Sequence, residues 1–409
     1  MNRKNLLIVT STFPRWQHDT DPPFVFELAK RLTGDFDITV LTPGYPGALA
    51  DEIMEGVKVH RFRYFLKNLE ILAGSEGILP TLKKNRLFFL LVPFFILAEF
   101  FALIKLIKEN KPDIIHAHWL LPQGFVAGLA HKITGVPFVV TTHGADIYGL
   151  QGKIATTLKG FALRNATTVT VVSKNIKKTI IEKFGHTIHA EVASMGVDST
   201  HFNPDKNDPQ LRERYEIKGP FLLYVGRLSE KKGVPFLLHA MPLVINRVPD
   251  CKLLIIGTGE LRGELKHQAD SLDLQDHVVF TGAIPNNQLP AFFATADIFI
   301  GPSVVSSGGD TEGFGLTFVE AAMSGCFVVA TDVGGITDII EDGETGFLVR
   351  EKDHQAIADV LISILEQEQK FSGIREKARK KMLSQFDWKS IAGRYALLLK
   401  HASQHHETV

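Results

Sequence analysis

Apolar patterning alternates between short strand-like runs and helical stretches, stops, and then starts again; this constrains the chain more than any other feature. In the first half, apolar runs at 6–10, 38–41, 57–62, 112–116, 136–141 and 168–172 are separated by helical stretches that include 24–32, 124–134, 158–166 and 174–184. Strands that alternate with helices return in the same direction through right-handed crossovers, so the expectation is a parallel sheet covered on both faces. Residues 201–218, with Pro204, Pro209 and many charges, read as a linker. Strands are again expected at 221–225, 251–256, 278–281, 297–300, 327–330 and 346–349, and helices at 235–244, from about 260, and at 288–294, 314–323 and 354–365. Two α/β domains, 1–200 and 219–385, suit 409 residues, more than one hydrophobic core usually serves.

Charge and cysteine content narrow the function classes. Residues 1–200 carry 23 Lys+Arg against 17 Asp+Glu, and the remainder 22 against 28, so the first half suits an anionic surface or acceptor. No basic stripe with interleaved aromatics points to nucleic acid. Cys251 and Cys326 lie in apolar stretches and are expected as buried free thiols in a reducing compartment. The start does not read as a signal peptide. The longest apolar run is 87–98, extending to 104 if Glu99 is admitted. It is rich in Phe, preceded by Lys83, Lys84 and Arg86 and followed by Lys105, Lys108 and Lys111. Pro93 and Glu99 argue against a bilayer span. The segment 83–108 is expected to lie on an anionic membrane, with packing in the core as the competing reading.

Ligands of open α/β sheets collect at the carboxyl ends of the strands, and the polar motifs fall there. Glu312-Gly-Phe-Gly-Leu-Thr-Phe-Val-Glu320 follows the strand at 297–300 and opens a helix, whose first N–H groups suit a phosphate. The two carboxylates can accept hydrogen bonds from vicinal hydroxyls of a sugar or ribose. Val225-Gly-Arg-Leu-Ser-Glu-Lys-Lys-Gly233 puts Arg227 and Lys232 on a loop after a strand, a pair of cations matched to a diphosphate. Gly257-Thr-Gly-Glu260 resembles part of a nucleotide loop, but no Gly-x-Gly-x-x-Gly fingerprint or Gly-x-x-x-x-Gly-Lys-Ser/Thr motif occurs. His116-Ala-His118-Trp119 and His143-Gly-Ala-Asp146 follow successive strands in the first half. Their spacing is compatible with zinc, but contact with a substrate is favoured, because neutral His and ionised Asp can orient hydroxyls.

These motifs together resemble the retaining glycosyltransferases of family 4, which have the GT-B fold: two doubly wound, Rossmann-like parallel-sheet domains facing across a cleft. The resemblance spans nearly the whole chain and rests on Gly226-Arg227, Lys232-Gly233, Gly257-x-Gly259, and Glu312 and Glu320 with seven residues between them. It also covers Phe386-Asp-Trp388 and the following helix, so residues 386–409 are expected to cross back to the first domain. The resemblance implies that Arg227 and Lys232 clamp a UDP- or GDP-linked diphosphate, that Glu320 holds the ribose and that Glu312 contacts the transferred sugar. Gly226, Gly257 and Gly259 would line the donor site, and the N–H groups of Gly313, Phe314, Gly315 and Leu316 would approach sugar and phosphate. His118 would sit near the anomeric carbon, with Trp119, His143 and Asp146 on the acceptor side. No metal or other cofactor is expected, since the two cations serve the diphosphate. The Gly-Gly loop that many family members carry after the first strand is absent. Phe13-Pro14-Arg15 stands there instead, with Arg15 as an acceptor-side anion contact. The implied activity moves a hexose or N-acetylhexosamine to a glycan or lipid-linked sugar at the cytoplasmic membrane face. A small soluble acceptor is the alternative, and a nucleotide-sugar epimerase a weaker one.

Overall fold

The computed structural model describes residues 3–17, 19, 24–73 and 77–404. The chain forms two compact units, Met1–Met195 with Trp388–Val409, and Gly196–Asp387. Asp21, Pro22 and Pro23, just ahead of the helix expected over 24–32, lie outside the described residues, as do the side chains of Pro80 and Lys83.

In the first unit, β1 (Lys4–Val9), β2 (Phe36–Pro43), β3 (Asp51–Met54), β4 (Val57–Phe62), β5 (Ile114–His118), β6 (Phe138–Thr142), β7 (Thr168–Val171) and β8 (Ala190–Val192) make one sheet. Its order is β3-β4-β2-β1-β5-β6-β7-β8. The strands pair in parallel except β3, which pairs antiparallel with β4. β5 and β6 are buried at every position, as strands covered on both faces must be. β3 and β8 escape the sequence reading: one is a charged edge strand and the other has three residues, so neither carries an apolar run.

The apolar run folds as a 3-10 turn, Arg86–Leu91, and a helix, Val92–Asn110, with Pro93 in the first helical turn, where its missing N–H costs nothing. Arg86–Asn110 is long and apolar enough to cross a membrane by length and composition. Its side chains divide between two faces. Leu91, Phe95, Leu103, Leu106 and Ile107 are buried, and the Phe95 ring meets Phe62 (5.3 Å) and Tyr64 (5.0 Å). Leu87, Phe89, Leu90, Phe94, Leu97 and Phe101 are exposed. Glu99 is turned inward and accepts from Gln123 Nε2 at 3.0 Å; burial raises its carboxyl to about 8, so it is a neutral acid at pH 7.

The helix Trp388–Gln404 packs in this unit. Tyr395, fully buried, donates to the Ala193 carbonyl (2.8 Å), and Lys4 Nζ donates to Ser403 Oγ (2.9 Å).

In the second unit, β9 (Phe221–Val225), β10 (Lys252–Ile256), β11 (Val278–Gly282), β12 (Ile298–Gly301), β13 (Phe327–Thr331) and β14 (Phe347–Val349) form an all-parallel sheet in the order β11-β10-β9-β12-β13-β14. Helices Val234–Arg247 and His354–Glu366 put Leu237, Leu238, Met241, Ile357 and Leu361 into one core with the strands. Both cysteines are buried and free. The stretch 201–218, read as a linker, is folded within this unit. Its charges face water, while Phe202 and Leu211 are buried and Arg212 donates to the Gly219 carbonyl and the Asp297 carboxylate (both 2.9 Å).

Candidate functional site

β9 lies between β10 and β12, so the connections leaving β9 and β12 run in opposite directions and open a crevice at their carboxyl ends. Residues 226–233 follow β9 and 302–315 follow β12. Lys232 Nζ pairs with Glu312 Oε2, Lys231 Nζ with Asp310 Oδ2 (3.1 Å), and Glu230 accepts from the Ser307 N–H (2.7 Å) and hydroxyl (3.0 Å). The two loops are thus joined by three side chains in a row, of which the sequence reading singled out only Lys232. Burial pushes the Glu312 carboxyl up, but Lys232, Lys231 and the Gly313 N–H outweigh it and hold the group below its usual range. Glu312 is therefore an anion with lysine beside it.

Glycine geometry explains why these loops approach so closely. A Cβ on Gly257 (φ +142°) would stand 1.9 Å from the Gly226 carbonyl oxygen, and one on Gly259 2.2 Å from that of Leu228. Gly226 N–H donates to Ile256 O (3.0 Å) and Leu228 N–H to Thr258 O (2.9 Å). Gly257 and Gly259 are needed for contact of one backbone with another. The turn Gly334-Gly335 beneath Glu312 is equally tight: a Cβ on Gly334 (φ +58°) would lie 2.2 Å from the Glu312 carbonyl oxygen, which accepts from Gly335 N–H (2.9 Å).

The helix after Glu312 spans Leu316–Met323, two residues shorter than expected. Gly315 has φ +96°, and a Cβ there would strike the Phe318 ring at 2.6 Å, so Phe314 and Gly315 form the turn before the helix. Leu316 begins it; the Phe318 N–H donates to the Gly315 carbonyl (3.1 Å), and the N–H groups of Leu316 and Thr317 are the first-turn donors with no partner among the described residues. Glu320 lies on this helix with no hydrogen bond or ion pair among the described residues, and burial raises its carboxyl to about 7. Arg227 is more exposed and rests 3.6 Å from Glu260. The structure thus brings Lys232, Lys231, Glu312 and Gly313 together, with Arg227 on the same β9 loop beside Glu260.

In the first unit, His118 ends β5 and His143 follows β6. His118 Nδ1 and His143 Nε2 share a hydrogen bond (3.1 Å), with rings stacked at 5.3 Å and 18°. His116 lies behind, 4.2 Å from the His118 ring, with Nε2 2.7 Å from Thr141 Oγ1. Burial lowers His116 and His143 to about 3 and His118 well below its usual value, so all three are neutral at pH 7. His118, the ring placed at the anomeric centre by resemblance, is fully enclosed, while His143 and Trp119 are half-buried. Asp146 accepts from Leu120 N–H (2.9 Å), Gly144 N–H (3.1 Å) and His143 N–H (3.2 Å), clamping the loop after β5 to the loop after β6; burial raises its carboxyl. Arg15 forms a two-bond fork with Asp19 (2.7 and 2.6 Å) and stacks over Trp16 and Tyr45. Among the described residues no cluster of three or more His, Cys, Asp or Glu side chains could hold a metal ion.

Comparison with known proteins agrees with this architecture. Residues 23–201 match the model described as Glycosyltransferase Family 4, and residues 207–381 the one described as Glycosyl transferases group 1. A GDP-mannose-dependent alpha-(1-6)-phosphatidylinositol monomannoside mannosyltransferase of Mycolicibacterium smegmatis is 31% identical over 298 residues, 72% of this chain and 78% of that protein. The N-acetyl-alpha-D-glucosaminyl L-malate synthase of Bacillus anthracis is 28% identical over 70% of this chain and 74% of its own. Among solved structures, sucrose-phosphate synthase from Thermosynechococcus elongatus superposes with a TM-score of 0.79 at 20% identity, covering 98% of this chain and all of the other. Anabaena HepE in complex with UDP-glucose superposes at 0.75 and 19%, again over 98% and 100%. The chain belongs to the GT-B-fold glycosyltransferases that join a Glycosyltransferase Family 4 domain to a group 1 domain.

Proposed function

We propose that the protein transfers a hexose or N-acetylhexosamine, with retention of anomeric configuration, from a UDP- or GDP-linked sugar to a hydroxyl of a glycan or lipid-linked sugar in cell-envelope glycan or glycolipid synthesis. The observation that carries this reading is the pair of loops at the ends of β9 and β12, which gather lysines, a lysine-held carboxylate and free helix N–H groups. Arg227 and Lys232 take the diphosphate and neutralise the charge that grows on it as the C1–O bond breaks. Glu320, desolvated and unpartnered, accepts the two ribose hydroxyls, and Glu312 those of the sugar. The N–H groups at 313–316 face the phosphate and the transferred sugar. The acceptor oxygen enters on the face the diphosphate leaves, and its proton passes to a leaving phosphate oxygen. A relative named for GDP-mannose dependence favours a GDP-linked hexose.

The exposed stripe Leu90, Phe94, Leu97 and Phe101 continues at helical spacing into Lys105 and Lys108. An apolar face bordered by lysines suits peripheral contact with an anionic bilayer, at its cytoplasmic face, and so favours a lipid-linked acceptor over a small soluble one. The relative named for N-acetyl-glucosaminyl malate synthesis supports the soluble alternative.

The test is transfer and hydrolysis measured across a panel of UDP- and GDP-sugars, with and without membrane extract as acceptor source. Turnover of one nucleotide sugar, stimulated by the extract and retained in EDTA, is expected. No turnover of any donor, together with thermal stabilisation by NAD alone, would overturn the reading.

A further inference from the structure

Trp119 occupies a backbone conformation that almost only glycine adopts, φ +73° and ψ 145°. The other described non-glycine residues at positive φ are charged, with φ between 44° and 61°. Such a conformation persists only where its surroundings over-determine it, and they do. Trp119 N–H donates to Thr141 O (2.8 Å), and its carbonyl accepts from Gly124 N–H (2.9 Å). The next residue, Leu120, is held through its N–H by Asp146, and Gln123 is anchored on Glu99. Gly124 has no room for a side chain: a Cβ there would stand 2.9 Å from Val140 and 3.1 Å from the Trp119 carbonyl oxygen.

All this holds the indole half-buried at the carboxyl end of β5. Its ring lies 4.7 Å from His143 and 5.9 Å from Phe24, both also half-buried. The tryptophan is strained and partly open beside two neutral imidazoles. We propose that Trp119, flanked by Phe24, is a platform for the apolar C–H face of the acceptor's sugar ring, with His143 beside it to meet the ring hydroxyls. The negative face of the indole attracts the electropositive C–H groups of a pyranose, and a neutral imidazole both donates to and accepts from hydroxyls. The inference rests on the glycosyl-transfer reading and extends it to the surface that selects the acceptor.

Trp119→Phe, Trp119→Ala and Trp119→Gly test it in the full chain. With the donor identified by the panel above, Trp119→Ala should raise the acceptor KM about tenfold and leave the donor KM within about twofold, while Trp119→Phe keeps most acceptor affinity. Trp119→Gly should lose acceptor affinity like Trp119→Ala yet melt at a higher temperature, reversing the usual order of these two residues, because glycine relieves the strain. An acceptor KM within twofold of wild type in Trp119→Ala overturns the platform. So does equal loss of donor and acceptor affinity, which would mark a purely structural role. A readout independent of turnover is the quenching of tryptophan emission by methyl α-mannopyranoside and methyl α-glucopyranoside. Quenching by either in wild type that is missing in Trp119→Phe supports the platform even if no donor is turned over, and so separates its fate from that of the transferase reading. Quenching by neither glycoside, or quenching unchanged in Trp119→Phe, counts against it.

Discussion

Lys232 and Glu312 are each other's closest charge, so neither can be removed without changing the other. Lys232→Ala deletes one of the cations assigned to the diphosphate and weakens the hold on Glu312; we expect kcat/KM for the donor to fall by about tenfold or more in steady-state kinetics. Glu320 behaves in the opposite way, because burial without a partner raises its carboxyl to about 7 from 4.5. The folded protein keeps that proton between the two values while the unfolded chain has released it. Its contribution to stability is therefore present below pH 4.5 and lost as pH rises through about 7. Glu320→Gln should melt close to wild type at pH 5 and above it at pH 8, while binding nucleotide diphosphate about tenfold more weakly at pH 8 by calorimetry. Equal melting shifts at both pH values would reject the raised carboxyl. Glycines separate by their surroundings. Gly257→Ala should destabilise the second unit by about 2 kcal/mol or more, since a Cβ would overlap the Gly226 carbonyl at an already strained φ. Gly393→Ala, in a helix with open space around it, should stabilise by about 0.5–1 kcal/mol in denaturant unfolding.

A single helix shows how one element serves two environments. Val92–Asn110 is apolar on nearly every face, which in a soluble domain usually means full burial. Here Phe95 and Leu103 lie in the core of the first unit while Phe94, Leu97 and Phe101 face outward. Phe95→Ala should cost about 3–5 kcal/mol in denaturant unfolding. Replacing Leu97 and Phe101 by serine should leave that stability nearly unchanged and abolish co-sedimentation with vesicles containing anionic lipid. Retained sedimentation in the double variant would remove this face from the membrane proposal. The sequence presented core packing and membrane contact as alternatives because hydropathy does not distinguish the two sides of a helix. Register against β1, β2 and β4 assigns one side to the core, and the other remains open.

At the scale of the molecule, the first unit is built from two separated pieces of chain. The chain leaves it after Met195 and returns at Trp388, and at the crossing Val197 N–H donates to Phe386 O (2.8 Å) within the second unit. The returning helix fills the first unit with Trp388, Ile391, Tyr395 and Leu399, all buried. Ending the chain at residue 387 should leave that unit aggregated or open to proteolysis. Tyr395→Phe, which strands the Ala193 carbonyl, should cost about 1–2 kcal/mol in the full chain.

Local pattern by itself determined most of the α/β course of the chain. Fully apolar runs such as 221–225 and 327–330 can be little else than buried parallel strands once helices separate them, and the loops after them had to carry the polar groups. It also marked Lys232, Glu312 and Glu320, because charged residues and glycines crowd two short intervals, 225–233 and 308–320. Only the tertiary structure decided who meets whom. The pairing of β9 with β12 set Lys231 on Asp310 and Glu230 on Ser307, across about eighty residues of chain. Burial made the three histidines neutral, while hydrogen bonds between the loops after β5 and β6 hold Asp146 on backbone amides and Trp119 in a glycine's conformation. Those properties belong to the environment of a side chain, which the fold assembles from segments far apart in sequence; strand and helix patterning depends on neighbours a few residues away.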